Sequence, residues 1–318
     1  MRKRTIGPPS RTFPLDPAIW GDPRLFQMHP ISPTLLLIEF NGGELAVLSL
    51  DSGNVLSNRD DRGLLTGDAG LDFSSNLSNK LLIRALGNWK SLVLAIPDLS
   101  LRFEVEAQHG NSAISAKISP CGRWLALGYG RYPLRAPDRP IDSVVEIWAL
   151  RDDSLEFLAW QRMPGVACSA IAWSSDSQFL TVFSGGIDQQ RGYLALIETT
   201  GWKMDQICES HRGIFRDAFI GRYSVMVLGS EGCELRWLVD LGDPDEVSFS
   251  EIETGPPRSK FGPGGFVFAN RGMVSFEDEY MVVLPKGILG ASSLEGGGIA
   301  AFDNDGHLHI WPAGTLSF

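Results

Sequence analysis

The chain has 318 residues, 43% of them hydrophobic, and a formal net charge of −10 at pH 7. That hydrophobic content supports a large core and excludes a disordered chain, although 318 residues lie at the upper edge for one ordinary domain. The acidic balance argues against a general nucleic-acid binder, whose phosphate contacts need a net basic surface.

The chain opens on Met1-Arg2-Lys3-Arg4, then Thr5-Ile6-Gly7-Pro8-Pro9. No apolar run follows the basic residues, so a signal peptide is not expected. No stretch approaches the length of a transmembrane helix. The four cysteines, Cys121, Cys168, Cys208 and Cys233, form no CxxC pair. Reduced, mostly buried thiols in a cytoplasmic protein are therefore expected.

Helical periodicity is scarce, and short apolar runs alternate with turn residues along the whole chain. The turns are Asn-Gly-Gly at 41–43, Asp-Ser-Gly at 51–53, Gly-Asn at 87–88, Ser-Glu-Gly at 230–232 and Asn-Asp-Gly at 304–306. Such residues accept the positive φ that tight hairpins demand. The predicted strands fall into units. The first holds strands near 25–29, 34–40 and 44–50, and the second runs from Leu71 through 80–86, 90–96 and 101–106. The third covers about 112–161, the fourth 167–208 and the fifth 213–252. A sixth lies near 265–285, and the last contains 297–303 and 307–312. The spacing approximates one four-stranded propeller blade.

Three of these units close on the same strand shape: Val144-Val145-Glu146-Ile147-Trp148, Cys233-Glu234-Leu235-Arg236-Trp237 and His307-Leu308-His309-Ile310-Trp311. An acidic residue stands six positions before each Trp: Asp142, Glu231 and Asp305. The third and fourth units also align directly. Lys117-Ile118-Ser119-Pro120-Cys121-Gly122-Arg123-Trp124-Leu125 matches Ala172-Trp173-Ser174-Ser175-Asp176-Ser177-Gln178-Phe179-Leu180.

Here the chain resembles the WD40 family. Ser119-Pro120-Cys121-Gly122-Arg123-Trp124-Leu125-Ala126 is similar to that family's Ser-Pro-Asp-Gly-x-x-Leu-Ala turn, and His109 sits where the family places a structural His. The resemblance implies an all-β, single closed propeller spanning 1–318, with seven four-stranded blades or, as the alternative, six. It also implies polar staples within blades: His109, Asp142 and Trp148; His211, Glu231 and Trp237; Asp305 and Trp311. The closing strand is expected from the N-terminal extension 1–23, around Arg11–Leu15, or from Thr315–Phe318. The most conspicuous His and Asp residues thereby acquire structural roles.

Little else points to chemistry. His307-x-His309 presents two imidazoles on one strand face, but neither a Cys nor another His stands nearby as a third ligand, so no metal is expected. Ser184-Gly185-Gly186 and Gly296-Gly297-Gly298 lack the Lys-Ser/Thr of a phosphate loop. Neither a cofactor nor a small-molecule ligand is indicated. The loops are more informative. Arg131-Tyr132-Pro133-Leu134-Arg135-Ala136-Pro137-Asp138-Arg139-Pro140 joins the second and third strands of its unit and carries side chains favoured at interface hot spots. In a propeller, loops of this class share one face with the blade-to-blade connections. That face would collect Arg131, Tyr132, Arg135 and Arg139, then Gln189, Gln190 and Arg191, then Arg258 and Lys260, beside the connection Asn58–Ala69. The expected function is a non-catalytic protein-interaction scaffold. The alternatives are a propeller hydrolase with a channel site, or a propeller subunit of a bacterial ATPase-associated system.

Overall fold

The computed structural model describes the chain outside residues 1, 16–25, 41–42, 62, 65–72, 77–79, 131–142, 166, 186–191, 211–214, 221–224, 230–232, 241–242, 254–260, 263–264, 270–271, 276–279 and 317–318. For 26–27, 73, 75, 205–210, 215–216, 226–229, 233–240 and 243–253 the description covers the backbone alone.

In chain order the first strands are β1 (Arg2–Thr5), β2 (Arg11–Pro14), β3 (Phe26–Ser32), β4 (Leu35–Phe40), β5 (Glu44–Ser49) and β6 (Val55–Asp60). Next come β7 (Phe73–Asn76), β8 (Leu81–Ala85), β9 (Lys90–Ala95), β10 (Leu101–Glu106), β11 (Ser112–Ile118), β12 (Trp124–Gly130), β13 (Ser143–Leu150) and β14 (Leu155–Met163). They are followed by β15 (Ala167–Trp173), β16 (Phe179–Gly185), β17 (Gly192–Glu198), β18 (Lys203–Ser210), β19 (Phe215–Ile220), β20 (Val225–Gly229), β21 (Cys233–Asp240) and β22 (Asp243–Glu253). The last are β23 (Phe266–Ala269), β24 (Gly272–Ser275), β25 (Tyr280–Val283), β26 (Ile288–Ser293), β27 (Ile299–Asp303) and β28 (His307–Trp311). No α-helix occurs among the described residues. Two compact units contain these strands: 64–220, and 1–63 with 221–318.

In the unit 64–220, β7–β8–β9–β10 form an antiparallel meander, and so do β11–β12–β13–β14 and β15–β16–β17–β18. A single strand pairing, Gly130 with Ala167, joins the last two meanders into one sheet. A Cβ on Gly130 would lie 2.5 Å from the Ala167 Cα, so only glycine permits this approach.

Strand β13 explains how the meanders pack. All eight of its residues are buried. Val144, Trp148 and Leu150 join one cluster with Ile83, Val93 and Val105 from the preceding meander. The alternate residues Val145 and Ile147 join another with Ile171, Leu180 and Val182 from the following one. Successive side chains point to opposite faces, so a strand apolar on both faces, with Ser143 and Glu146 its only polar residues, suits a sheet covered on both sides. Each buried aliphatic side chain contributes about 1.5–3 kcal/mol relative to exposure.

The other unit repeats this logic. On β27, Ala300 and Phe302 pack with Leu36 and Leu48, whereas Ile299 and Ala301 pack with Phe266 and Met273. Strands β3–β6 form an antiparallel meander, and β20, β21 and β22 pair in sequence. Two further sheets take their fourth strand from the N-terminal segment. β2 pairs antiparallel with β28, Thr12 opposite His309, and β1 pairs parallel with β25, Arg2 opposite Tyr280. Residues 313–316 instead form turns. Leu316 donates its N–H to the Gly297 carbonyl at 2.8 Å and accepts the Tyr280 hydroxyl on its own carbonyl.

Two details differ from the sequence reading. β6 runs to Asp60, so the connection expected over Asn58–Ala69 begins inside a strand. β26, Ile-Leu-Gly-Ala-Ser-Ser, lies outside the runs expected for the last unit. It carries only one β-branched residue, and its place in the sheet follows from pairing with β27.

Candidate functional site

In the unit 64–220, the turn linking β10 to β11 is held by a buried carboxylate. Glu146 is fully buried, and its Oε1 accepts backbone N–H groups from Gln108 at 2.9 Å, His109 at 2.5 Å and Gly110 at 3.1 Å. Ionised acceptors make the stronger hydrogen bonds, so one side chain satisfies three donors. Gly110 is required because a Cβ there would meet the Tyr129 ring at 2.1 Å. Burial, and then the neighbouring Glu146 charge, push the Tyr129 hydroxyl well above its ordinary pKa. Among the described residues the Trp148 indole N–H has no hydrogen-bond partner.

This arrangement differs from the staple expected of His109, Asp142 and Trp148. The His109 ring is exposed and stacks on Trp160 at 4.5 Å between centroids, with Phe157 at 5.6 Å. Its backbone, rather than its ring, is tied to β13. Asp142 lies outside the described residues. Glu146 stood in view within the Trp-ending strand, but its reach to a turn 36–38 residues upstream depends on packing between sheets.

The other described staple is also corrected. Asp305 is exposed, and the Trp311 indole donates to the Gly7 carbonyl at 2.9 Å. The turn is organised by Asp303. Its Oδ1 accepts the N–H of Asp305 at 2.9 Å and of His307 at 2.8 Å, while its Oδ2 lies 2.7 Å from His309 Nε2. His309 Nδ1 lies 3.0 Å from the Thr12 hydroxyl on β2. Partial burial pushes the Asp303 carboxyl up, but the N–H of His307, the His309 ring and the N–H of Asp305 together hold it below its ordinary value. No set of three or more His, Cys, Asp or Glu stands as a ready metal-ligand shell among the described residues.

The loop residues singled out in the sequence, Arg131, Tyr132, Arg135, Arg139, Gln189, Gln190, Arg191, Arg258 and Lys260, lie outside the described residues, as do His211 and Glu231. Trp237 falls on β21, where the backbone alone is described. The strand ends flanking 131–142 are described. Gly130 pairs with Ser112, and the adjacent Ala113 exchanges backbone hydrogen bonds with the 87–88 turn. That end of the two meanders carries an exposed aromatic group. Trp89 is 58% exposed and its carbonyl accepts the Ala107 N–H. Trp160 is 42% exposed and stacks on His109. Exposed tryptophans of this kind carried no periodic signal, since single apolar residues on outer strands are common.

Cys121 and Cys168 are free thiols in contrasting settings. Partial burial raises the Cys121 pKa, but hydrogen bonds from Ser119, Arg123 and Ser177 outweigh it and bring the value to about 7. Complete burial pushes Cys168 to about 12. No helix of the described residues is long and apolar enough to cross a membrane.

No family model matches the chain, and no curated protein matches it. Among solved structures, the chain is similar to the β-propeller domain of Cps50 (Swd1) from Myceliophteria thermophila. The two are 13% identical with a TM-score of 0.56, over 90% of this chain and 96% of that one. The fold is that of a β-propeller. At this identity the likeness speaks for the fold alone, because one fold hosts many functions.

Proposed function

We propose that this protein is a non-catalytic scaffold of the WD40-like propeller type that recognises a protein partner. Six four-stranded sheets or meanders and the four consecutive strands β19–β22 support a seven-bladed arrangement. The observation that carries the functional reading is the aromatic group Trp89, His109 and Trp160 at the end of the meanders from which residues 131–142 depart. Trp, Tyr and Arg are the residues that dominate interface energetics, and Arg131, Tyr132, Arg135 and Arg139 fall in that neighbouring segment. The sheets that carry Trp89 and Trp160 would present these two rings at little ordering cost.

The test is affinity capture from the native host with three forms of the chain: wild type, Trp160→Ala, and a triple variant of Arg131, Arg135 and Arg139 to Glu. A stoichiometric partner held by wild type and lost by both variants, with melting temperatures unchanged, supports the reading. Retention of that partner by both variants, or capture of none by wild type, defeats it.

A further inference from the structure

We propose that β1 is a displaceable strand, and that the edge of β25 it covers is a docking site for a basic, extended segment of a partner protein. This site lies apart in the chain from the aromatic group of the proposed function and does not rest on that reading.

The edge accepts such a segment, because β1 already fills it. Arg2–Thr5 pair in parallel with Tyr280–Val283, and all four β1 residues are exposed. On β25, by contrast, Tyr280, Met281 and Val282 are buried. β1 therefore gives the sheet backbone pairing and almost no buried area, the combination that opens most readily. The neighbouring strand is held differently. Along β2, Phe13 packs against the cluster of Leu36, Leu308 and Ile310, and Thr12 bonds to His309. Between the two strands, the Gly7 carbonyl accepts the Trp311 indole, and Ser10 donates its N–H to the Ile310 carbonyl at 2.8 Å. Detachment can thus stop at Gly7 and leave β2 in place.

Release of β1 bares a row of unpaired N–H and C=O groups along β25. An extended peptide satisfies them by adding as a strand, with main-chain hydrogen bonds giving the affinity. Charge gives the selection. The chain enters β25 directly from Glu277-Asp278-Glu279, and the first residue of the strand, Tyr280, stands opposite Arg2. The native occupant reads Arg-Lys-Arg-Thr, in a chain of net charge −10. A partner segment with consecutive Arg or Lys residues matches this edge in the same way. The donors can be assigned as well. Ile6 donates its N–H to the Val283 carbonyl at 3.3 Å. Alternate residues of a paired strand turn their N–H groups to the same neighbour, so that of Arg4 also faces β25, while those of Lys3 and Thr5 face away.

The experiment uses the full chain, as wild type and as the double variant Arg4→Pro, Ile6→Pro, which removes both donors and so releases β1. The probe is a fluorescein-labelled peptide with the sequence of residues 1–6. The variant is expected to bind it about tenfold or more tightly than wild type, where the tethered strand competes. N-methylation of the peptide at Arg4 and Ile6 should abolish binding, N-methylation at Lys3 and Thr5 should preserve it, and Glu in place of Arg2, Lys3 and Arg4 should abolish it. If the prolines unfold the chain, the same peptides are titrated against wild type at higher concentration, with the same discrimination expected. In wild type, amide hydrogen exchange over residues 2–6 should be about tenfold or more faster than over residues 11–15. Equally slow exchange in both segments overturns the detachment of β1. Equal binding of the two N-methylated peptides, binding of the Glu peptide, or no binding to a folded variant overturns the docking site. A variant that dimerises and leaves the peptide free assigns the edge to a second copy and overturns the proposed partner.

Discussion

At the scale of single residues, the polar groups in the sheets act by satisfying particular backbone donors. Removing Glu146, itself fully buried, leaves three partly buried N–H groups of the 108–110 turn without their acceptor. Glu146→Ala is therefore expected to cost about 3–5 kcal/mol, and Glu146→Gln less because an oxygen acceptor remains. Chemical denaturation of the two variants measures this, and an Ala variant as stable as wild type would refute the role. Asp303 makes a prediction in pH. Its folded pKa lies below the unfolded value of 3.8, so its stabilisation is present above that value and is lost as pH falls through the folded one. The melting difference between wild type and Asp303→Asn should therefore be greater at neutral pH than below pH 3.8, where it narrows as Asp303 protonates. A difference constant with pH would contradict this. For the thiols, alkylation of Cys121 should show a midpoint near pH 7 that Cys121→Ala removes, whereas Cys168, at about 12 and fully buried, should resist the reagent.

At the scale of elements, the strands were readable because their evidence is local. Lys90–Ala95 and Leu101–Glu106 alternate or run apolar between turn residues, and they form as strands where expected. Val144–Trp148 reads as apolar on both faces apart from Glu146, and the structure covers both faces with neighbouring sheets. Other elements hold their place by contacts distant in sequence. β1 has four exposed residues, Arg-Lys-Arg-Thr, and no intrinsic strand signal, yet it runs parallel to β25. β2 is tied by Ser10 to Ile310, by Thr12 to His309 and by Arg11 to Asp51 and the Leu50 carbonyl. Deleting residues 1–15 should strip the fourth strand from two sheets and expose the edges of β25 and β28. The expected result is a melting temperature lowered by several degrees, with increased self-association through the bare edges. An unchanged melt and a monodisperse sample would show that these pairings contribute little.

At the scale of the whole molecule, the proposed scaffold role depends on what the sheets display. Trp89 and Trp160 keep large apolar area in solvent, where an apolar ring is stabilised only by covering it. For the proposed partner, Trp160→Ala should weaken binding by about tenfold or more, the range in which hot-spot truncations fall. Isothermal titration against the captured partner would measure it. Equal affinity for wild type and variant would move the interface elsewhere.

The sequence by itself determined that this chain is a series of short antiparallel strands, because alternation and positive-φ turn residues act over a few bonds. It also marked Trp148 and Trp311 as buried anchors. It did not reveal which polar group each anchor's neighbourhood would use. Counting back from the Trp pointed to Asp305, and to Asp142, which lies outside the described residues, while the WD40-like turn pointed to the His109 ring. In the folded chain Glu146 holds the 108–110 turn, Asp303 holds the 303–307 turn, and Trp311 finds a carbonyl 304 residues away at Gly7. Those choices belong to the tertiary structure. A buried donor bonds to whatever acceptor the stacking of sheets brings within reach, and that distance is not written in sequence spacing.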